Sequence, residues 1–128
     1  MTENELAKIV VDLCFKIHIE LGPGLLESIY EAALCYELDQ AGVPYQRQHS
    51  VPVIYKGVPL GLGFRVDLLV GGKLLVELKS IERLDRVHHK ILITYLKLTG
   101  AKLGILVNFN VALLKEGIHR RIYGQLSE

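Results

Sequence analysis

The hydrophobic period of this chain changes twice, and the changes dictate a mixed fold of helices and strands. Leu6, Ile9, Val10, Leu13, Ile17 and Leu21 recur at spacings of three and four, which lines up one face of a helix. Gly22-Pro23 ends that helix. Leu25, Leu26, Ile29, Ala32, Ala33, Tyr36 and Leu38 continue the helical period to about Gln40, with Gly42 as a stop. From Pro44 the residues become β-branched and alternating. "SVPVIYKGVPLGLGFRVDLLVGGKLLVELKS" divides at Lys56-Gly57 and Gly71-Gly72 into three strand-like runs, a meander. Helical spacing returns over residues 85–99 through Val87, Ile91, Leu92, Tyr95 and Leu98, and Gly100 closes it. "KLGILVNFN" is a continuous apolar strand suited to burial on both faces, and "KEGIHRRIYGQL" is expected to add an edge strand. The resulting order α, α, β, β, β, α, β, β predicts an α/β fold with a mixed sheet.

Composition sets the outer limits. The chain has 128 residues, no internal repeat and no linker-like tract, so one domain spanning residues 1–128 is expected. By size it buries roughly two-thirds of its unfolded surface. No apolar run approaches the roughly 18 residues of a membrane span. The N-terminus carries acids where a secretory signal carries positive charge, so a cytoplasmic protein is expected. Cys14 and Cys35 lie in apolar helical patterns without a metal-ligand spacing and are expected as buried reduced thiols. The net charge of +1 conceals an asymmetry: residues 1–40 hold eight acids and two bases, residues 41–128 six acids and thirteen bases. A polyanion-facing surface is one reading of this, and unevenly distributed solvated faces the other.

The stretch "DLLVGGKLLVELKS", residues 67–80, carries the chemistry, because it sets Asp67, Glu77 and Lys79 inside otherwise apolar strands. Alternation puts Leu75, Glu77 and Lys79 on one face of their strand. Burying a carboxylate and an ammonium costs several kcal/mol each, which points to a task beyond stability. Whether Asp67 joins them depends on the turn. A two-residue Gly71-Gly72 loop pairs Asp67 with Val76 and sends it to the opposite face. A three-residue loop over Val70 to Gly72, with Gly72 left-handed and a bulge, pairs Asp67 with Leu75 and sets it diagonal to Glu77. Diagonal neighbours lie about 7–8 Å apart, close enough for two carboxylates to grip one cation. Hard oxygen ligands without His or Cys suit Mg²⁺ or Mn²⁺, and a neighbouring lysine can assist water attack on a phosphodiester. A strand-edge salt bridge with a surface Asp67 is the plainer alternative.

"GLLESIY", Gly24 to Tyr30, is a G-x-x-E-x-x-Y match, followed in order by "FRVDLLV", "LLVELKS", "VHHKILITYLKLTG" and "LGILVNFNV". Over nearly its whole length the chain resembles the GxxExxY protein family, which is placed in the PD-(D/E)XK nuclease superfamily. The resemblance implies a restriction-endonuclease-like core: a helical hairpin, a three-strand meander, a crossing helix and one or two further strands. It implies a metal-dependent nuclease acting on DNA or RNA, with Mg²⁺ or Mn²⁺ held by Asp67, Glu77 and the Leu78 carbonyl. Lys79 is implied as the catalytic lysine and Glu27 as a supporting acid that reaches the metal directly or through water. Glu27, Tyr30 and Glu31 share one helical face, so Tyr30, with His88 and Tyr95 of the crossing helix, is expected near substrate. Members commonly carry Gln four residues before the tyrosine of the crossing helix, where this chain has Ile91. An Ile side chain makes no hydrogen bond, which keeps open the alternative of a non-cleaving nucleic-acid-binding or protein-interaction module. Arg83, Arg86, Lys90, Lys97, Lys115, Arg120 and Arg121 are candidates for phosphate contact, and a homodimer is a further expectation.

Overall fold

A computed structural model describes residues 1–127. Thr2 starts α1 (Glu3–Leu21) with a reciprocal capping box, its hydroxyl taking the Glu5 N–H while the Glu5 carboxylate takes its own. The apolar face of α1 buries Leu6, Ala7, Val10, Cys14 and Ile17. After Gly22, whose φ of 73° suits glycine alone, the chain turns into α2 (Glu27–Gln40). Leu25 and Leu26 precede this helix rather than join it.

The meander follows as β1 (Tyr45–Tyr55), β2 (Val58–Val70) and β3 (Leu74–Lys79). Asp85 caps α3 (Arg86–Thr99), and left-handed Gly100 ends it. β4 (Leu103–Asn108) runs parallel to β3, and β5 (Ile118–Ile122) returns antiparallel at the edge. The sheet order is β1-β2-β3-β4-β5, so the crossing helix connects two adjacent parallel strands. This is the α/β order expected from the hydrophobic period.

The sheet separates two cores. Leu74, Val76, Leu78, Leu103, Ile105 and Val107 pack on α1 and α2, while Leu75 and Leu106 meet Leu92 and Leu96 of α3. β4 is buried at every position, as its unbroken apolar run requires. A Cβ at Gly104 would sit 2.9 Å from the Leu92 side chain, so the glycine lets α3 lie close against β4. Both cysteines are free and buried.

Tyr30, expected near substrate, lies inside the core. It is fully buried, stacked on Phe109 with ring centres 4.2 Å apart. Its hydroxyl donates to the Gly22 carbonyl (2.6 Å) and accepts the Leu25 N–H (3.2 Å). Both bonds hold the α1–α2 turn, and the ring has no exposed surface. Tyr30→Phe strips partners from two backbone groups and is expected to destabilise the fold by about 1–3 kcal/mol. Urea unfolding should show a lower midpoint at unchanged slope.

Candidate functional site

Two residues out of the ordinary stand opposite each other where the ribbon of β1 and β2 twists. Gln48 has φ 50°, a left-handed value uncommon for any residue but glycine, and the β1–β2 pairing skips from Arg47↔Leu68 to His49↔Val66 across Gln48 and Asp67. On one side of this point Tyr45, Leu68 and Val70 pack towards α1 and α2. On the other, Val51, Phe64 and Val66 pack towards α3. The ribbon therefore changes layers at Asp67.

The turn between β2 and β3 has a register that neither sequence alternative anticipates. Gly71, Gly72 and Lys73 form the loop, with both glycines left-handed and Lys73 N–H closing on the Val70 carbonyl (3.1 Å). Val70 pairs with Leu74, Leu69 with Leu75 and Leu68 with Val76, and the same register sets Asp67 opposite Glu77. A shift by an even number of residues preserves the face, so the two acids do converge.

At that point the strands part and the carboxylates take over the hydrogen bonds. The Asp67 N–H donates to Glu77 Oε1 (3.0 Å), and the Leu78 N–H donates to Asp67 Oδ2 (2.8 Å). One oxygen of each carboxylate is committed to backbone. Glu77 Oε2 and Asp67 Oδ1 remain for other partners, the latter with one long contact of 3.3 Å from the Gln48 amide. Glu77 is 9% exposed; burial first, and the Asp67 carboxylate second, raise its pKa to about 8. The Asp67 N–H and the Lys79 ammonium pull the other way without prevailing.

Lys79 ends β3 half-buried, and its backbone is pinned: the Phe109 N–H donates to the Lys79 carbonyl (2.9 Å). The buried Asn108 holds the next turn through Ile81 N–H (3.1 Å) and carbonyl (2.9 Å). Lys79, Asp67, Leu78, Gln48, Glu27, Ser28 and Glu31 line a pocket of about 250 Å³ at this end of the sheet. Glu27 is solvent-exposed at its rim on the first turn of α2. Among the described residues, no three His, Cys, Asp or Glu side chains converge closely enough to hold a metal by themselves.

Two further pocket residues were not singled out as ligands or partners by sequence reasoning. Glu31 is buried and receives Arg47 Nε (2.7 Å) and the Gln48 amide (2.6 Å). Gln48 thus joins Glu31 to Asp67, and its left-handed backbone is what turns the amide between them. A run of Arg47-Gln48 in a stretch free of acids was the only signal in the sequence.

The crossing-helix residues lie apart from this pocket. His88 is engaged at the start of α3, where its Nδ1 accepts the Asp85 N–H (2.9 Å), and it lines no part of the pocket. His89 is half-buried against Arg121 (2.9 Å), with its ring perpendicular to that of His119. Tyr95 stacks on Phe64, with centres 4.4 Å apart. Burial raises its hydroxyl pKa, with smaller contributions from the Glu77 and Asp67 charges. Ile91 is partly exposed on α3.

No curated protein and no solved structure matches the chain. A family model does, over residues 4–121, a span that takes in both helical layers, β1 to β4, all of β5 but Ile122, and every pocket residue. On that match the chain belongs to the PD-(D/E)XK nuclease superfamily.

Proposed function

We propose that the protein is a divalent-metal-dependent nuclease that hydrolyses phosphodiester bonds in DNA or RNA, with Asp67, Glu77, Lys79 and Glu27 as its working residues. The observation that carries this reading is the interlock of Asp67 and Glu77 at the parting of β2 and β3, beside Lys79. A fold concerned only with stability gains nothing from a carboxyl buried against a second one. A cation relieves that cost.

The residues present fit such an ion. Each carboxylate keeps one oxygen that no backbone N–H claims, which gives two hard anionic donors; Asp67 and Leu78 line the pocket, and Glu77, which does not line it, is joined to Asp67 by the Asp67 N–H. Mg²⁺ typically takes one or two carboxylates and fills its remaining positions with water and substrate phosphate, so the absence of a third acid is compatible with it. When bound, the metal supplies Lewis acidity towards a phosphoryl oxygen and a more acidic water. The chain's own parts are then assigned as follows. Asp67 and Glu77 hold the cation, Glu27 orients water at the rim, and Gln48 keeps Asp67 in place. The Lys79 ammonium neutralises charge that develops on the phosphoryl group.

The test is incubation of the full chain with single- and double-stranded DNA and RNA, with Mg²⁺ or Mn²⁺ and then with excess chelator. Metal-dependent cleavage of at least one polymer supports the reading. Binding without cleavage in any metal supports the second reading, a non-cleaving module, which the apolar, partly exposed Ile91 favours.

A further inference from the structure

The β1–β2 ribbon outruns the rest of the sheet. β3 pairs with β2 only from Leu68 to Val70, so residues 50–65 form a two-stranded arm. The base of the arm packs on α3 through Val51 and Phe64, and beyond that base the ribbon has only its own two strands, an arrangement marginal in water. This one nonetheless exposes five large hydrophobic residues: Ile54, Tyr55, Val58, Leu60 and, at 76%, Leu62. Tyr55 pairs with Val58, and Gly61 (φ 73°) sits where β2 carries extra residues relative to β1. Residues 40–66 contain no acid at all, and Lys56 and Arg65 of the arm make no ion pair among the described residues.

A second uncovered apolar surface lies on the outer side of the helical hairpin. A groove of about 660 Å³ runs between α1 and α2, lined by Phe15, Ile19, Leu21, Ala33 and Tyr36, with Ile19 83% and Tyr36 61% exposed. Its rim is acidic. Asp12 and Glu37 are matched by Lys8 and Lys16, whereas Glu20 has no ion-pair partner among the described residues. The chain thus presents an apolar arm with unmatched cations and an apolar groove in its most acidic segment. Patches of this kind mark interaction sites.

We propose that the β1–β2 arm of one copy docks across the α1–α2 groove of a second copy, whose own arm docks reciprocally, to give a two-fold dimer. Charge complementarity selects this occupant. A nucleic acid would need cations across the contact, but the arm offers only two unmatched ones among five large apolar side chains, and the groove's acidic rim repels phosphate. Reciprocity follows from closure: a one-way contact leaves an arm and a groove open at each end and grows into a filament, whereas exchange uses both. The proposal stands independently of the nuclease reading.

Complementation tests it. The wild-type chain should sediment with twice the mass of one chain. Leu62→Asp in the arm and Ile19→Asp in the groove should each weaken self-association by roughly thirtyfold or more, the size of an interface hot spot. Both are surface positions, so unchanged circular dichroism and melting temperature certify the fold of each variant. Mixed in equal amounts, the two variants should associate again, because one pairing then joins an intact arm to an intact groove. A monomeric wild type overturns the proposal. So does disruption by Leu62→Asp alone, which indicates arm packed on arm, or failure of the mixture to associate. Salt-sensitive DNA binding by a monomer that is lost in Lys56→Ala and Arg65→Ala reassigns the arm to nucleic acid.

Discussion

Lys79→Ala and Asp67→Asn are each expected to lower metal-dependent cleavage by about a hundredfold to a thousandfold while leaving the chain folded. The magnitude is that of removing one group that stabilises developing charge. Structural collapse is not expected from the Lys79 truncation, because the end of β3 is held by its own backbone. The Phe109 N–H grips the Lys79 carbonyl, and Asn108 grips Ile81. Asp67→Asn keeps an oxygen for the Leu78 N–H, the bond that closes the gap between β2 and β3, while removing the charge. Single-turnover cleavage of an end-labelled substrate, with far-ultraviolet dichroism on the same samples, measures both quantities. Residues that act as one unit are not additive, so the double variant should lose little more than the worse single one. Cleavage that survives both substitutions would falsify the assignment of this pocket.

The order of elements was readable because each element of this chain carries its own period. α1 and α3 announced themselves through apolar faces that each reach one core, β4 through an unbroken apolar run buried between two, and the superfamily match over residues 4–121 agrees with that order. The register of the β2–β3 turn was not readable. Gly71 and Gly72 both accept positive φ, and nothing local says whether Lys73 belongs to the loop or to the strand. Parity was not fixed either, since β3 carries apolar residues on both faces; the three-residue loop of the structure has the parity that brings Asp67 and Glu77 together. The Gly-x-x-Glu-x-x-Tyr stretch was harder to divide into roles. Its glutamate stands at the pocket rim, but its tyrosine serves the turn before α2, a distinction that depends on where the Gly22 carbonyl and the Leu25 N–H point. The bridge from Glu31 through Gln48 to Asp67 joins an α-helix to two strands, and such contacts leave no periodic trace.

Glu77→Gln should separate function from stability with opposite signs. In the metal-free protein, burial and Asp67 raise the Glu77 pKa from its ordinary 4.5 to about 8. Below the ordinary value both the folded and the unfolded chain are protonated there, and the group costs nothing. As pH rises between 4.5 and about 8 the unfolded chain releases the proton while the folded chain retains it, so stability falls across that window. Above it the full cost of a buried charge remains. Gln has the same shape and keeps an oxygen for the Asp67 N–H, but does not ionise. The variant is therefore expected to be more stable than wild type at pH 8 by about 2–4 kcal/mol, with the difference vanishing near pH 4. Urea midpoints across this pH range measure it. A divalent cation reverses the ranking: at a hundredfold excess over its dissociation constant it stabilises the wild type by about 2.7 kcal/mol, and the variant, with one anionic donor gone, gains far less. Chelator removes the wild-type gain. A wild-type stability that is flat from pH 4.5 to 8, or a Mg²⁺ response equal in both proteins, would show that Glu77 is neither a strained carboxyl nor a metal ligand. Opposite responses to pH and to Mg²⁺ are what the proposed reading of Glu77 as a buried carboxyl that a cation completes requires.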